Sequence, residues 1–399
     1  MKKFVIELVS FFFRLFTSVR PKRILFWANK GASYCCNPKY FTEYLINYQR
    51  GKYDIVWAFN QDAIIGDVPD SVKIIRKSFA DGRIPTLSFL YYLNTSSFII
   101  TNFRNYSELV HKRKGQYMIF TWHANYGFKP IEKDYYVPCK KKEIRYYERC
   151  NDVVDLMLSG TPLRTQEIRR AQGYEGEILE KGNPRNDIFF DTIHKKTYRN
   201  KVIEFLGIPI IRKVLLYAPT FRDHDTNDIS IYSIEWDGVL NALKKRFGSD
   251  YVVLLRLHPN IRHLTQKLSI HTWSSSIIDV SDYPDMQELL LASDILITDY
   301  SSTPFDFCFT GRPCFLYTPD LIEYTTVDRA KLNFEMRDLP FPNSRDAKEL
   351  INSILTFDEQ KYQKELNVFL LRMNMFDNGM ACESLYRWME NKVKNSPTE

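Results

Sequence analysis

The sequence is poor in cysteine, and nothing in its spacing would organise a fold around it. Seven cysteines in 399 residues is an odd count, Cys35 and Cys36 are adjacent, and no Cys-x-x-Cys occurs. That argues against a disulfide frame and points to reduced thiols in core or loop. Zinc-finger spacing, an RNP-like motif and any long Lys/Arg block are absent. With a net charge of only +7, nucleic acid is not an expected partner, whereas an anionic substrate or a membrane surface is. There is no low-complexity tract and no short repeat. No G-x-G-x-x-G follows a strand-like run, no G-x-x-x-x-G-K-[ST] appears, and no G-x-S-x-G occurs. Dinucleotide binding, a P-loop and a serine-nucleophile elbow therefore lack support.

Long apolar runs are missing too. The first segment, MKKFVIELVSFFFRLFTSVRPKR, is interrupted by Glu7 and Arg14, which leaves too short a stretch for a comfortable membrane span. It shows no small-residue cleavage site, so a secretory signal is not expected. A helix over residues 3–18 would carry Phe4, Leu8, Phe11, Phe12, Leu15 and Phe16 on one broad face. Lys2, Lys3, Arg14, Arg20, Lys22 and Arg23 would favour anionic lipid. The expectation is an amphipathic helix over 1–20 that rests on an anionic membrane surface, with burial in the protein or an oligomer as the alternative.

What is present reads as a globular α/β chain. Hydrophobic residues make up 44% and charged residues 26%, enough for two ordinary domains at this length. Strand-like runs fall at 23–29, 53–60, 72–78, 97–103, 116–123, 155–160 and 176–182, with helical segments at 38–49, 85–94 and 161–172. Such alternation implies a parallel sheet. A polar helical stretch at 191–208 reads as a bridge. A second alternating set follows, with strands at 213–220, 251–259, 275–281, 294–300 and 313–318. Its helices fall near 235–247, 286–292, 304–310 and 347–356, and a last helix covers 378–393. The expected architecture is two Rossmann-like domains facing across a cleft. Its expected parts are 1–20, a first domain at 21–190, a linker at 191–210, a second domain at 211–375, and a C-terminal helix at 376–399 that packs back on the first domain.

Four strand ends finish in polar clusters: TWHANYGFK, YAPTFRD, RLHPN and TDYSS. In open α/β sheets, ligands bind outside the carboxyl ends of strands. His123 there could take a proton from a hydroxyl. His258 and Arg222 could bear phosphate charge. Asp299, Ser301 and Ser302 end a core strand where a helix begins, which suits an anion seat; the plainer alternative is that Asp299 or Ser301 caps that helix. Asp282, Asp285 and Glu288 read as loop and helix-cap acids, and no metal ligand cluster stands out.

These segments, with GNPRNDIFF, the block from Ile278 to Tyr324, and Asp328–Arg329, resemble the CDP-glycerol glycerophosphotransferase family of teichoic acid and capsule synthesis. The likeness runs in order from about Arg23 to about Thr356. It implies a GT-B fold and a peripheral place on the cytoplasmic face of the cell membrane. It implies transfer of glycerol phosphate from CDP-glycerol to a hydroxyl of a lipid-linked glycan or polyol-phosphate acceptor, releasing CMP, with no cofactor and no metal. Oligomerisation is left open. His123 matches the family's acceptor-side base and His258 its His-Pro histidine near the pyrophosphate. Arg222, Asp299, Ser301, Ser302 and Arg329 match donor-side positions, and Asn125 and Lys129 lie in the acceptor-side loop. That loop departs from the family's Trp-His-Gly-Thr-Pro-Leu-Lys: here it reads Trp122-His123-Ala124-Asn125-Tyr126-Gly127-Phe128-Lys129, one residue longer. CDP-ribitol or a nucleotide sugar on the same fold is the nearer alternative, and a non-catalytic assembly scaffold the more distant one.

Overall fold

The computed structural model describes the whole chain except residues 1, 64, 79–83, 105–111, 136–140, 223–229, 259–260, 262–275, 329–330 and 395–399. The chain divides into two compact units that do not follow chain order. The first is Met1–Ala124, Cys139–Asp187 and Phe376–Glu399; the second is Asn125–Pro138 and Ile188–Met375.

The first unit holds a seven-stranded sheet of β1 (Arg20–Trp27), β2 (Asp54–Phe59), β3 (Lys73–Arg76), β4 (Ser96–Thr101), β5 (Tyr117–Phe120), β6 (Leu156–Ser159) and β7 (Glu177–Glu180). Every pairing is parallel, in the order β3-β2-β1-β4-β5-β6-β7. Its helices are α1 (Lys2–Phe16), α2 (Cys36–Tyr48), α3 (Leu87–Thr95), α4 (Lys141–Asp152) and α5 (Pro162–Arg170). The second unit holds β8 (Lys213–Ala218), β9 (Tyr251–Leu255), β10 (Ile277–Asp279), β11 (Ile295–Thr298), β12 (Cys314–Tyr317) and β13 (Asn343–Ser344) in the order β10-β9-β8-β11-β12-β13, again all parallel. Its helices run from α6 (Lys195–Phe205) through α7 (Trp236–Phe247), α8 (Met286–Ala292), α9 (Pro304–Phe307), α10 (Leu321–Glu323) and α11 (Ala347–Leu355) to α12 (Glu359–Met373). α13 (Ala381–Lys394) belongs to the first unit. In each sheet the winding reverses once, between β1 and β4 and between β8 and β11, and ligand crevices open at such switch points.

Parallel strands covered on both faces must be apolar throughout. Ile24 to Trp27 and Ile99 to Ile100 are wholly buried in the first sheet, as are Leu215, Leu216, Val253 to Leu255, Leu296 and Ile297 in the second. Aromatics fill one face of the first sheet: Trp57 stacks between Phe26 (5.7 Å) and Phe59 (5.4 Å). Each such pair adds about 0.5–1.5 kcal/mol beyond its buried area.

Four segments differ from the sequence expectation. Residues 191–210 do not form a free bridge: α6 buries Val202 and Ile203 within the second unit, and Arg199 donates to Asp294 (2.8 Å). α4 and α12 were not foreseen, α4 because its segment is dominated by charge (KKEIRYYERCND). The loop after His123 falls in the second unit from Asn125 onward.

α1 packs Ile6, Val9 and Phe13 against the first core, with Phe13 edge-on to Tyr91. Its other side leaves Leu8, Phe11, Phe12, Leu15 and Phe16 exposed, Phe16 by 75%. Among the described residues no helix is long and apolar enough to cross a membrane. The cysteines at 35, 36, 150, 308, 314 and 382 are free thiols.

Candidate active site

In the first unit the site grows from the carboxyl ends of β1, β4 and β5. Asn29, just past β1, donates its backbone N–H to Asn102 Oδ1 (2.8 Å), and Asn102 Nδ2 returns a bond to Asn29 Oδ1 (3.1 Å). This reciprocal pair fixes the end of β4, and the Asn102 carbonyl lies 3.2 Å from His123 Nδ1. A carbonyl oxygen only accepts, so Nδ1 carries the proton. The lone pair of the neutral ring is therefore on Nε2, the nitrogen free to act as a base. Phe103 lies flat on the imidazole at 4.7 Å, and Trp122 covers it obliquely at 4.3 Å.

His123 is pushed down to about 4. Burial is the main cause; the hydrogen bond to Asn102 opposes it, and Arg185, Arg164 and Lys30 add positive potential. The imidazole is thus neutral across the physiological range.

The geometry around His123 is held against backbone strain. Trp122 sits at φ 56, a left-handed conformation a side chain rarely adopts. Asn37, in the first turn of α2, secures it: Nδ2 donates to the Thr121 and Trp122 carbonyls (3.2 and 3.0 Å), and Oδ1 accepts from the Arg185 backbone N–H (3.1 Å). Arg164 lies over the Trp122 ring at 5.1 Å, itself bonded to Glu167 and Gln172. Sequence reading missed Asn37, Asn102, Lys30, Arg164 and Arg185. Arg185 lies in GNPRNDIFF and Asn37 in SYCCNPKYFTEYL, which resembles a family segment before a helix, but neither motif by itself assigns the residue a role. GNPRNDIFF is also structural: Asp187 accepts from the backbone N–H of Ala381 (3.1 Å) and Cys382 (2.8 Å), capping α13.

The second unit carries a different arrangement. Asp299, at the end of β11, accepts twice from the Thr220 backbone N–H (2.9 and 3.0 Å) and once from Arg222 Nη1 (2.9 Å). It ties β11 to β8 rather than capping a helix. Arg222 also donates Nε and Nη2 to Asp320 (2.5 and 3.0 Å) and Nη1 to the Thr220 carbonyl (2.6 Å). The Tyr300 and Tyr324 rings sandwich against each other at 3.8 Å beside the guanidinium. Arg222 is 1% exposed. Burial alone would lower its pKa, but Asp299 and Asp320 more than offset that and hold it raised. It stands inside the fold as a neutralised knot rather than as a surface phosphate clamp.

Ser301 and Ser302 do not begin the helix. α9 starts at Pro304 after Thr303, and Ser301 Oγ accepts from the Thr303 backbone and hydroxyl (3.3 and 3.2 Å). Both serines keep part of their surface open. Gly127 comes close to this turn: a Cβ there would lie 3.2 Å from Ser302 Cβ. Asn333 holds the loop, donating to the Phe128, Gly127 and Lys129 carbonyls (2.7, 2.8 and 3.2 Å). Lys129 Nζ then rests 5.8 Å from the Phe221 ring, and His258 packs on that ring at 4.3 Å. So Lys129, His258, Ser301 and Ser302 belong to one unit, and Asn125 is buried beside Met375 there. Arg329, and the residues Pro259 and Asn260 after His258, lie outside the described residues. Asp285 caps α8 by accepting from the Glu288 N–H (3.1 Å), while Glu288 accepts from the Tyr283 hydroxyl. Among the described residues no group of three or more His, Cys, Asp or Glu side chains could hold a metal ion.

Known proteins resemble this chain over nearly its whole length. The profile of the CDP-glycerol:poly(glycerophosphate) glycerophosphotransferase family matches residues 9–391. A teichoic acid poly(glycerol phosphate) polymerase of Staphylococcus epidermidis is 32% identical over 94% of this chain, which spans 52% of that longer protein. One from Bacillus spizizenii is 27% identical over 95% of each. Among solved structures, the wall teichoic acid polymerase TagF, as a variant soaked with CDPG, has a TM-score of 0.81 at 30% identity, covering 98% of this chain and 94% of that one. The fold is of that GT-B type, and the chain belongs to the CDP-glycerol:poly(glycerophosphate) glycerophosphotransferase family.

Proposed function

We propose that this chain transfers glycerol phosphate from CDP-glycerol to a hydroxyl of a lipid-linked glycan or polyol-phosphate acceptor, releasing CMP. The observation that carries the reading is the His123 tautomer. Its Nδ1–H is committed to the Asn102 carbonyl, its Nε2 lone pair is free, and its surroundings keep it neutral. Nε2 takes the proton of the acceptor hydroxyl as its oxygen attacks the β-phosphorus. The bond from that phosphorus to the bridging oxygen breaks, and CMP leaves with the electron pair. Such transfers depend on positioning and on charge stabilisation. Lys129 and His258, flanking Phe221, with the Ser301 and Ser302 hydroxyls, are the groups assigned to the donor's phosphates. Arg222 is assigned to position the Asp299 turn that carries those serines. The reading uses no resident metal or cofactor.

The exposed side of α1 is assigned to the membrane. Phe11, Phe12, Leu15 and Phe16 would enter the headgroup boundary, with Arg20 and Lys22 meeting anionic lipid. On this reading the enzyme works peripherally, next to a lipid-linked acceptor.

The test is CMP release by the full chain with CDP-glycerol or CDP-ribitol, with and without a lipid-linked acceptor extract. Acceptor-dependent CMP from CDP-glycerol is expected. Release from CDP-ribitol alone would move the donor assignment, and CDP binding without release from either donor would remove the transferase reading.

A further inference from the structure

The carboxyl edge of the first sheet carries cations for which the transfer step has no use. Lys77 follows β3 and is only 9% exposed. Among the described residues its ammonium has no carboxylate partner and no hydrogen bond; Nζ lies 5.5 Å from the centre of the Phe89 ring. Burial alone pushes it down to about 8. A buried unpaired ammonium is costly, so a fold that keeps one holds a standing attraction for an anion.

Lys30 stands on the neighbouring loop, exposed and at φ 62. Its Nζ lies 5.0 Å over the Phe103 ring, the same ring that stacks on His123. No carboxylate pairs with it among the described residues. Between the two lysines is Gly31 at φ 97, where a Cβ would meet Lys77 Cδ and Asn60 Oδ1 at 3.0 Å each. Asn60 joins the loops: its Nδ2 donates to the Lys30 carbonyl (3.2 Å), and it accepts from Ser78 Oγ (3.2 Å) and, through its carbonyl, from Arg76 (2.8 Å). Because β3, β2, β1, β4 and β5 are adjacent in the sheet, Lys77, Asn60, Lys30, Asn102 and His123 follow one another along a single edge.

We propose that Lys30 and Lys77, on either side of Gly31, form a subsite for a phosphate group of the acceptor, one unit back from the hydroxyl presented to His123. The proposal rests on the reading of His123 as the acceptor base. A chain of phosphodiester-linked polyols carries one negative charge per unit. Seating the preceding phosphate on two ammonium groups delivers the terminal hydroxyl to Nε2. It also selects phosphate-bearing acceptors over neutral glycans. Lysines suit this role, being compact point charges that do not demand bidentate geometry.

The test uses the full chain with Lys30→Gln and Lys77→Met, and sn-glycerol 3-phosphate as probe without donor. Wild type is expected to melt at higher temperature as the probe is added, less so at high salt. Both variants lose that shift. Lys77→Met without probe melts above wild type, because the unpaired ammonium is gone. With a phosphate-bearing acceptor, the variants' acceptor KM rises at least about tenfold while the donor KM stays put, a loss of about 1.4 kcal/mol in acceptor binding. An unchanged probe shift in the variants, or an unchanged acceptor KM, overturns the subsite. Lys30→Gln, at an exposed position, carries the test if Lys77→Met does not fold. If no acceptor supports CMP release, the transferase reading falls, and the probe shift still decides the subsite by itself.

Discussion

Both units place charge at the carboxyl ends of their strands and treat it in opposite ways. In the second, Arg222 is buried between Asp299 and Asp320, and its charge is cancelled where it stands. In the first, Lys30 and Lys77 have no carboxylate partner among the described residues, and Lys30 joins Arg185 and Arg164 in adding positive potential at a neutral histidine. A closed ion-pair knot stiffens a turn and hands its geometry to neighbours such as Ser301. An open cationic edge keeps its field for a ligand. The comparison separates residues that shape a site from residues that meet the substrate, a distinction residue type alone does not make.

Removing the base should have the largest effect. His123→Ala is expected to lower turnover by roughly 10²–10⁴-fold with donor affinity kept, measured as steady-state CMP release beside CDP binding. Near-normal turnover in a folded variant would break the first half of the comparison. Arg222→Met should act on stability instead. It leaves Asp299 and Asp320 buried without their cation, a cost of about 3–5 kcal/mol, read from the urea midpoint. Full stability with lost CDP binding would mean Arg222 is a phosphate ligand after all. Asn37→Ala should come next: three hydrogen bonds around the strained Trp122 go, and leaving those groups unsatisfied costs about 1–3 kcal/mol. Its turnover should fall with acceptor KM little changed, because the histidine is misplaced rather than removed.

The remaining expectation concerns pH. A histidine in the unfolded chain protonates near 6.5, whereas His123 in the fold does so at about 4. Between those values the unfolded state binds more protons. The contribution of His123 to stability therefore declines as pH falls from about 6.5 toward 4 and changes no further below that. His123→Gln should remove this slope from the pH dependence of the denaturation midpoint. A slope unchanged in the variant would show that His123 titrates as it does in the unfolded chain.

Much of this was legible in the chain. Both sheets follow from apolar runs broken by polar ends, because parallel strands must be apolar on both faces. The histidine stood out because TWHANYGFK follows such a run. Other features were hidden for physical reasons. Asp320 pairs with Arg222 across 98 residues, and no local pattern encodes that. Lys30 and Lys77 look like ordinary surface lysines until the β3-β2-β1 order puts them on either side of Gly31. Ser301 reads as a helix cap because serine commonly caps, yet the helix starts at Pro304 with Thr303, two residues later, at its N-cap. The loop holding Lys129 follows His123 directly in sequence, but Asn333 binds it into the second unit.

The central claim is that His123 is a neutral base with its proton on Nδ1. Nitrogen NMR of the full chain labelled at histidine, with His123→Gln to assign the signal, reads this directly. The account predicts a protonated Nδ1 and a bare Nε2 that stay unchanged from pH 8 down to about 5. A proton on Nε2, or titration near 6.5, would contradict it.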